Sequence, residues 1–335
     1  MIKKNILLTG ASGTVGFEAL LQLIDNKTYS ITVFDKESKQ SREKLLPFQD
    51  QINIIFGDIS ILEDLSAIKD IDAAIHLAAV IPPVADDYPE LARKVNLIGT
   101  QNLIQQLEKQ SPNAFLIYSS SISVYGDRIL NPFIKVGDKL QGSEGDYYAT
   151  TKIAAEDCIQ NSQLDYTIFR LAAIMGNHKI SKLMFHQPLD TALEIATPRD
   201  TARAFVNGIE KQHLLSKRIF NLGGGESCRT SYKEFLERSF TIFGLGQVNF
   251  PKNSFAQKNF HCGYYADGDE LEQIVNFRQN NLEDYFKMEE AKIARSGKII
   301  TSILRGPIKW FLHKKSEPYQ AFKDQNLVQM KHYFN

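Results

Sequence analysis

The chain is predicted to be an α/β protein: a Rossmann-like doubly wound parallel sheet followed by a smaller, mainly helical C-terminal region. Three observations predict it. Short apolar runs alternate with amphipathic stretches over the first two-thirds of the 335 residues, as strand and helix units around a parallel sheet do. The first run ends in a glycine turn, Thr9-Gly10-Ala11-Ser12-Gly13-Thr14-Val15-Gly16, which opens a helical pattern. Beyond Gly223-Gly224-Gly225 the alternation fades, and the remainder reads as helices joined by loops.

Strands are expected at residues 5–9, 30–34, 52–56, 73–77, 114–118, 166–170 and 218–222. Several are nearly continuous in Ile, Leu, Val and Phe, which suits strands covered on both faces. Helices are expected at 15–24, 88–109, 147–160 and 199–211, where apolar residues return at three- and four-residue steps. Loops are expected at 81–87, with its Pro82-Pro83 pair, and at 127–146. The domain division that follows places a Rossmann domain at 1–175, completed by 198–224. A substrate-binding region then comprises 176–197 and 225–335, with a C-terminal helical extension.

Acidic and basic side chains balance at 39 each, so no overall field draws nucleic acid, and the expected partner is a small molecule. Cys158, Cys228 and Cys262 are odd in number and far apart, which predicts reduced, packed thiols rather than a disulfide framework or zinc site. Neither a signal-peptide apolar region nor an apolar run long enough to span a bilayer is present. These features predict a cytoplasmic protein with no membrane span. From about residue 287 on, Lys292, Arg295, Lys298, Arg305, Lys309, Lys314 and Lys315 interleave with Ile299, Ile300, Ile303, Leu304, Ile308, Trp310, Phe311 and Leu312. Such a basic amphipathic segment either makes peripheral contact with a membrane or packs its apolar face on its own protein, and the break at Gly306-Pro307 favours packing.

In the glycine turn, Gly10 permits the tight bend, Gly13 lets the backbone approach a pyrophosphate, and Gly16 lets the helix pack close to the sheet. The N–H groups around Ser12, Thr14 and Val15 face the anion. A glycine triplet also serves plain strand-helix turns, so its context decides. The second strand ends at Phe34-Asp35, where a carboxylate can accept hydrogen bonds from both hydroxyls of an adenosine ribose and repel a 2'-phosphate. NAD is therefore the expected cofactor, with Lys36 and Lys39 leaving NADP open. Gly57-Asp58-Ile59 ends the third strand; Asp58 either meets the adenine amine or caps the helix expected near Leu62. In His76-Leu77-Ala78-Ala79 the small residues leave room for a cofactor across the sheet edge, and His76 is expected to be a core histidine or one that supports the site from behind, not a ligand.

The fifth strand enters Tyr118-Ser119-Ser120-Ser121-Ile122-Ser123-Val124-Tyr125-Gly126, and Tyr148-Ala149-Thr150-Thr151-Lys152 follows in a helix. Residues four apart share a helix face. An ammonium there stabilises phenolate and lowers the phenol pKa toward that of a general base. Tyr148 is thus the expected acid/base, Ser121 the hydrogen-bond partner of the reacting oxygen, and Lys152 the residue that also holds the nicotinamide ribose. Tyr147 has no lysine four residues on.

Glycine turn, strand-end acid, Ser-Ser-Ser-x-x-Val-Tyr-Gly and Tyr-x-x-x-Lys in this order resemble the extended short-chain dehydrogenase/reductase family, within it the NAD-dependent epimerase/dehydratase group. The resemblance covers roughly residues 1–225, with a weaker echo at 269–286. It implies an NAD(P)-dependent oxidoreductase or epimerase, most often of a nucleotide sugar, an active-site-shaping role for Asn96, and a homodimer formed through the helices at 88–109 and 147–160. The sequence departs from the pattern in three places. Ile122 and Ser123 stand where family dehydratases carry an acidic pair, which disfavours a 4,6-dehydratase. Ala173 stands where an asparagine meets the substrate diphosphate, and the segment 177–198 is short. Arg170, Arg199, Arg203 and Arg229 could contact an anionic substrate, but for any one of them an ordinary surface ion pair is the favoured reading. His178, His186 and His261 lack metal-like spacing and receive no role. Two rival functions remain: a reductase of a small or apolar ketone or aldehyde, and a non-catalytic dinucleotide-binding regulator, against which the intact Tyr148 and Lys152 count.

Overall fold

The computed structural model describes residues 3–176 and 181–334. In chain order its strands are β1 Lys4–Thr9, β2 Tyr29–Asp35, β3 Asn53–Phe56, β4 Ala73–His76, β5 Phe115–Ser121, β6 Phe133–Ile134, β7 Asp165–Leu171, β8 Ala173–Ile174, β9 Ala192–Ala196, β10 Arg218–Leu222, β11 Arg229–Ser231 and β12 Tyr264–Tyr265. Seven of them form a parallel sheet in the order β10-β7-β5-β4-β1-β2-β3. Strand order reverses between β1 and β4, the topological switch point at which a crevice opens above the carboxyl ends of the strands.

Helices cover both faces. Ile6, Leu8, Val33, Ile75 and Ile117 pack on one side with Leu20 and Leu23 of helix Thr14–Asp25 and Phe205 of helix Pro198–Gly208. Leu7, Phe34, Ala74, Leu116 and Ile168 pack on the other with Leu103 and Leu107 of Gly99–Gln110 and Ala155 and Ile159 of Tyr147–Gln160. Burial on both faces is why these strands read as continuous apolar runs.

The structure differs from the sequence reading in four places. The helix expected at 88–109 is interrupted by a π-helical stretch at Arg93–Ile98. Asn96 lies inside it, bonding the backbone of Val80 through both its oxygen (2.7 Å) and its nitrogen (2.9 Å), and such a tertiary bond competes with regular helix geometry. The loop expected at 81–87 contains a short helix, Val84–Asp87. The helix expected at 199–211 ends at Gly208 and continues as a 3-10 turn, Ile209–Lys211.

The C-terminal region also contains strands. β11 pairs antiparallel with β9, which pairs with β8, while β12 pairs with β6. Runs of two or three residues are too short to display alternation. This region has its own core, in which Phe185, Phe235, Phe240, Tyr285, Phe286 and Leu312 meet. Its helices carry ordinary start and stop signals: Ser231 caps Tyr232–Phe243, Gly244 ends it at φ 79°, and Asn281 with Asp284 forms a capping box on Leu282–Ala291.

Candidate active site

The crevice at the switch point is a cleft of about 540 Å³. Its floor begins at the glycine turn, where Gly10, Gly13, Thr14, Val15 and Gly16 line it opposite Leu77 and Ala79. The close approach expected of the glycines is visible in the backbone. A Cβ on Gly10 would come within 2.7 Å of the Ala78 amide nitrogen, and one on Gly16 within 2.0 Å of the Gly10 carbonyl oxygen. The helix Thr14–Asp25 begins here with no side chain capping its N-terminus, so its first N–H groups stay available to an anion. Gly16→Ala is expected to force the turn apart, destabilising the protein by about 1–3 kcal/mol and weakening NAD+ binding. Denaturant melts and calorimetric titration with NAD+ check both effects.

Asp35 is buried at the end of β2, and its carboxylate accepts from the Ser12 amide (2.7 Å) and hydroxyl (3.1 Å). Burial raises its pKa, and the Ser12 hydrogen bonds oppose that rise. Ser12 thus orients the acid, which stands beside the glycine turn as the sequence reading placed it. Asp58 turns back on its own chain, accepting from the Ser60 amide (3.0 Å) and hydroxyl (2.7 Å), 3.5 Å from the Lys36 ammonium. Ile59 packs against Gly99. Neither Asp58 nor Ile59 lines the cleft floor. His76 is a core residue, bonded to Thr9 (2.7 Å) and Thr100 (3.0 Å), and burial lowers its pKa to about 3.

The far half of the cleft brings Ser121, Tyr148 and Lys152 together. Asp146 caps the helix that carries the last two, accepting from the Ala149 amide at 2.8 Å. The Ser121 side chain stands close enough to the Tyr148 phenol to lower its pKa, and it accepts from the Ser123 amide at 3.1 Å. The Lys152 ammonium lies 5.8 Å from the Tyr148 ring centre and donates to the Ser119 carbonyl (2.7 Å) and the Tyr118 hydroxyl (3.2 Å). The serine-bearing strand is locked to this helix by a buried pair: Arg170 of β7 reaches Glu156 at 2.6 Å, and Glu156 also accepts from Ser120.

Electrostatics in the protein alone depart from the sequence reading. Burial pushes the Tyr148 phenol well above its ordinary value, a larger effect than the lowering by Ser121. Burial also lowers Lys152 from 10.5 to about 7, against an opposing pull from Glu156. Desolvation disfavours both charged forms, so a further nearby positive charge would be needed to favour phenolate. The unfolded chain keeps the lysine proton up to about pH 10.5, whereas the folded chain releases it near 7. Charge burial therefore costs most below pH 7, and the cost fades as pH rises to 10.5. Relative to Lys152→Met, the parent is expected to gain up to about 1.4 kcal/mol per pH unit across that window, measurable by urea unfolding at a series of pH values.

The residues present are of kinds that would fit NAD: glycines whose close backbone approach would admit a pyrophosphate, and a tyrosine-lysine pair in the far half of the cleft, with Asp35 held by Ser12 beside the glycine turn rather than in the cleft lining.

The opposite wall was not legible in the sequence. His261 lies 2.9 Å from Asp146, and His186 lies 2.8 Å from Glu317, whose carboxylate also meets Lys182 (3.1 Å) and the Tyr333 hydroxyl (3.2 Å). Asp86 and His332 line the same wall. His186 and His261, given no role from spacing, therefore line the cleft; His178 lies outside the described residues. Three of the four arginines do form ion pairs, but with carboxylates buried inside the protein rather than on its surface as expected. Arg170 pairs with Glu156, Arg229 with Glu194 (2.9 Å) and Arg203 with Asp200, while Arg199 is exposed. Ile122 and Ser123 are buried in the turn after β5, so the cleft's carboxylates come from other segments.

A family model, the NAD dependent epimerase/dehydratase family, matches residues 6–193. The chain belongs to that family. Its curated relatives include D-erythronate dehydrogenase of Cupriavidus necator, 26% identical over 70% of this chain and 81% of the relative. Another, dTDP-glucose 4,6-dehydratase of Mycolicibacterium smegmatis, is 33% identical, but over only 45% of this chain and 46% of the relative. Among solved structures, UDP-glucuronic acid 4-epimerase from Bacillus cereus with UDP-glucuronic acid and NAD shares the fold. Its TM-score is 0.71 at 19% identity, covering 86% of this chain and 98% of that one. Family members thus include epimerases, dehydratases and dehydrogenases.

Proposed function

We propose that this chain catalyses NAD-dependent hydride transfer at a hydroxyl- or carbonyl-bearing carbon, with Tyr148 as acid/base. The observation that carries this reading is the meeting of Ser121, Tyr148 and Lys152 in the lining of the cleft that starts at the glycine turn, with the Lys152 ammonium 5.8 Å from the Tyr148 ring centre. NAD(H), when bound, supplies the hydride acceptor or donor. The Ser121 hydroxyl orients the substrate oxygen, and Tyr148 takes its proton on oxidation or returns it on reduction. Lys152 sets the charge around the phenol and holds the ribose.

A nucleotide sugar is the first substrate class, on the strength of the likeness to UDP- and dTDP-sugar enzymes. Epimerisation or simple oxidation suits the site better than 4,6-dehydration, because Ile122 and Ser123 offer no acid. A second reading, a small polar hydroxy acid or carbonyl compound, is favoured by one observation: Arg170, Arg203 and Arg229 are committed to internal ion pairs rather than free to grip a diphosphate.

The two separate when purified protein and NAD+ are offered UDP-glucuronic acid, UDP-glucose, dTDP-glucose and erythronate. Epimerised sugar nucleotide without net reduced cofactor supports the first reading, and accumulation of NADH with erythronate alone supports the second. No turnover of any of the four counts against both. Asp35 is expected to give NAD+ an advantage of about tenfold or more over NADP+; equal or tighter binding of NADP+ in parallel titrations would contradict it. The assembly proposed is a soluble homodimer through the helices flanking Asn96 and Tyr148, and no helix among the described residues is long and apolar enough to cross a membrane.

A further inference from the structure

The helices Arg295–Ile303 and Arg305–His313 follow one another with only Leu304 between them. The second packs Leu312 and Ile308 into the C-terminal core. The first buries no side chain at all and has no side-chain cap. A nine-residue helix in water without tertiary burial is marginal, so its apolar face calls for a cover. That face is large: Ile299 is 61% exposed, Ile303 75%, Trp310 61% and Phe311 58%, with Ile300 and Leu304 beside them.

We propose that this surface docks on an anionic lipid bilayer. Charge selects the occupant. Between Ala291 and Ser316 stand seven lysines and arginines and no aspartate or glutamate, in a chain whose net charge is zero. Lys292 and Lys298 meet Glu289 and Glu290. Among the described residues, Arg295, Arg305, Lys309, Lys314 and Lys315 have no carboxylate within ion-pair distance.

Two of these cations flank the exposed aromatics: the Lys314 ammonium lies 3.6 Å from the Trp310 ring centre, and Lys315 lies 5.2 Å from that of Phe311. Aliphatic and aromatic groups that sink to the headgroup boundary, ringed by cations that remain at the phosphates, are the composition of an interfacial helix. Pro307 falls in the first turn of the second helix, where a missing N–H is harmless.

Trp310 is the only tryptophan of the chain, so its emission reports on this face alone. The test uses the full chain with vesicles of phosphatidylcholine containing about one-third phosphatidylserine, and of phosphatidylcholine alone. The protein is expected to sediment with the anionic vesicles, its emission shifting to the blue, and to be released by high salt. Lys314→Glu with Lys315→Glu is expected to lower the bound fraction roughly tenfold or more. Ile303→Ser with Phe311→Ser is expected to weaken binding while leaving the melting temperature unchanged, since both side chains are exposed. Three results would overturn the proposal: no sedimentation with either vesicle, equal binding to both, or a soluble dimer with blue-shifted emission that Ile303→Ser with Phe311→Ser converts to monomer, which would assign the face to a second copy.

Discussion

Tyr148→Phe is expected to lower turnover by about 10²–10⁴-fold, the usual contribution of a positioned proton donor or acceptor, while NAD+ affinity changes little. Only the hydroxyl is removed, and the ring keeps its packing in the cleft. The variant leaves the glycine turn, Asp35 and Lys152 in place, so cofactor binding serves as the control for folding. Lost turnover with retained NAD+ titration places the defect at proton transfer. Undiminished turnover on the substrate identified from the panel would remove Tyr148 from the chemistry.

Arg170→Ala is expected to be the most destabilising single substitution, by about 3–5 kcal/mol. It leaves the buried Glu156 carboxylate with Ser120 as its hydrogen-bond donor and Lys152 as its nearby cation, and it takes a donor from the Tyr125 hydroxyl, 2.7 Å away. The double variant Arg170→Met with Glu156→Met should lose much less, because a buried pair replaced by apolar groups of similar volume leaves no unpaired charge. Urea unfolding of the two variants provides the comparison. The single variant should also impair catalysis, since this pair ties the helix bearing Tyr148 to β7, the neighbour of the strand bearing Ser121.

Which parts of this molecule are readable from sequence follows from how local the determining interactions are. The seven parallel strands are runs of Ile, Leu, Val and Phe buried on both faces, and the glycine turn states its own backbone requirement. Ser121, Tyr148 and Lys152 are legible because a strand end and one helix turn place them. The opposite wall of the cleft is different. His261 faces Asp146 across 115 positions, and His186 meets Glu317 across 131. No periodicity links such partners. The π-helical stretch at Asn96 and the two- and three-residue strands β6, β8, β11 and β12 were hidden for the same reason: tertiary contacts, not local preference, impose them. Burial likewise reverses the expected effect on Tyr148, because desolvation is set by the packing around a residue rather than by its spacing from a lysine.

The most direct test of the central claim is a single-turnover measurement with enzyme-bound NAD+ and the substrate identified from the panel. Absorbance of the reduced nicotinamide should rise within one turnover in the parent protein and should be largely abolished in Tyr148→Phe. Product formation with no transient reduction of the nicotinamide, or a transient equally fast in both proteins, would contradict hydride transfer governed by Tyr148.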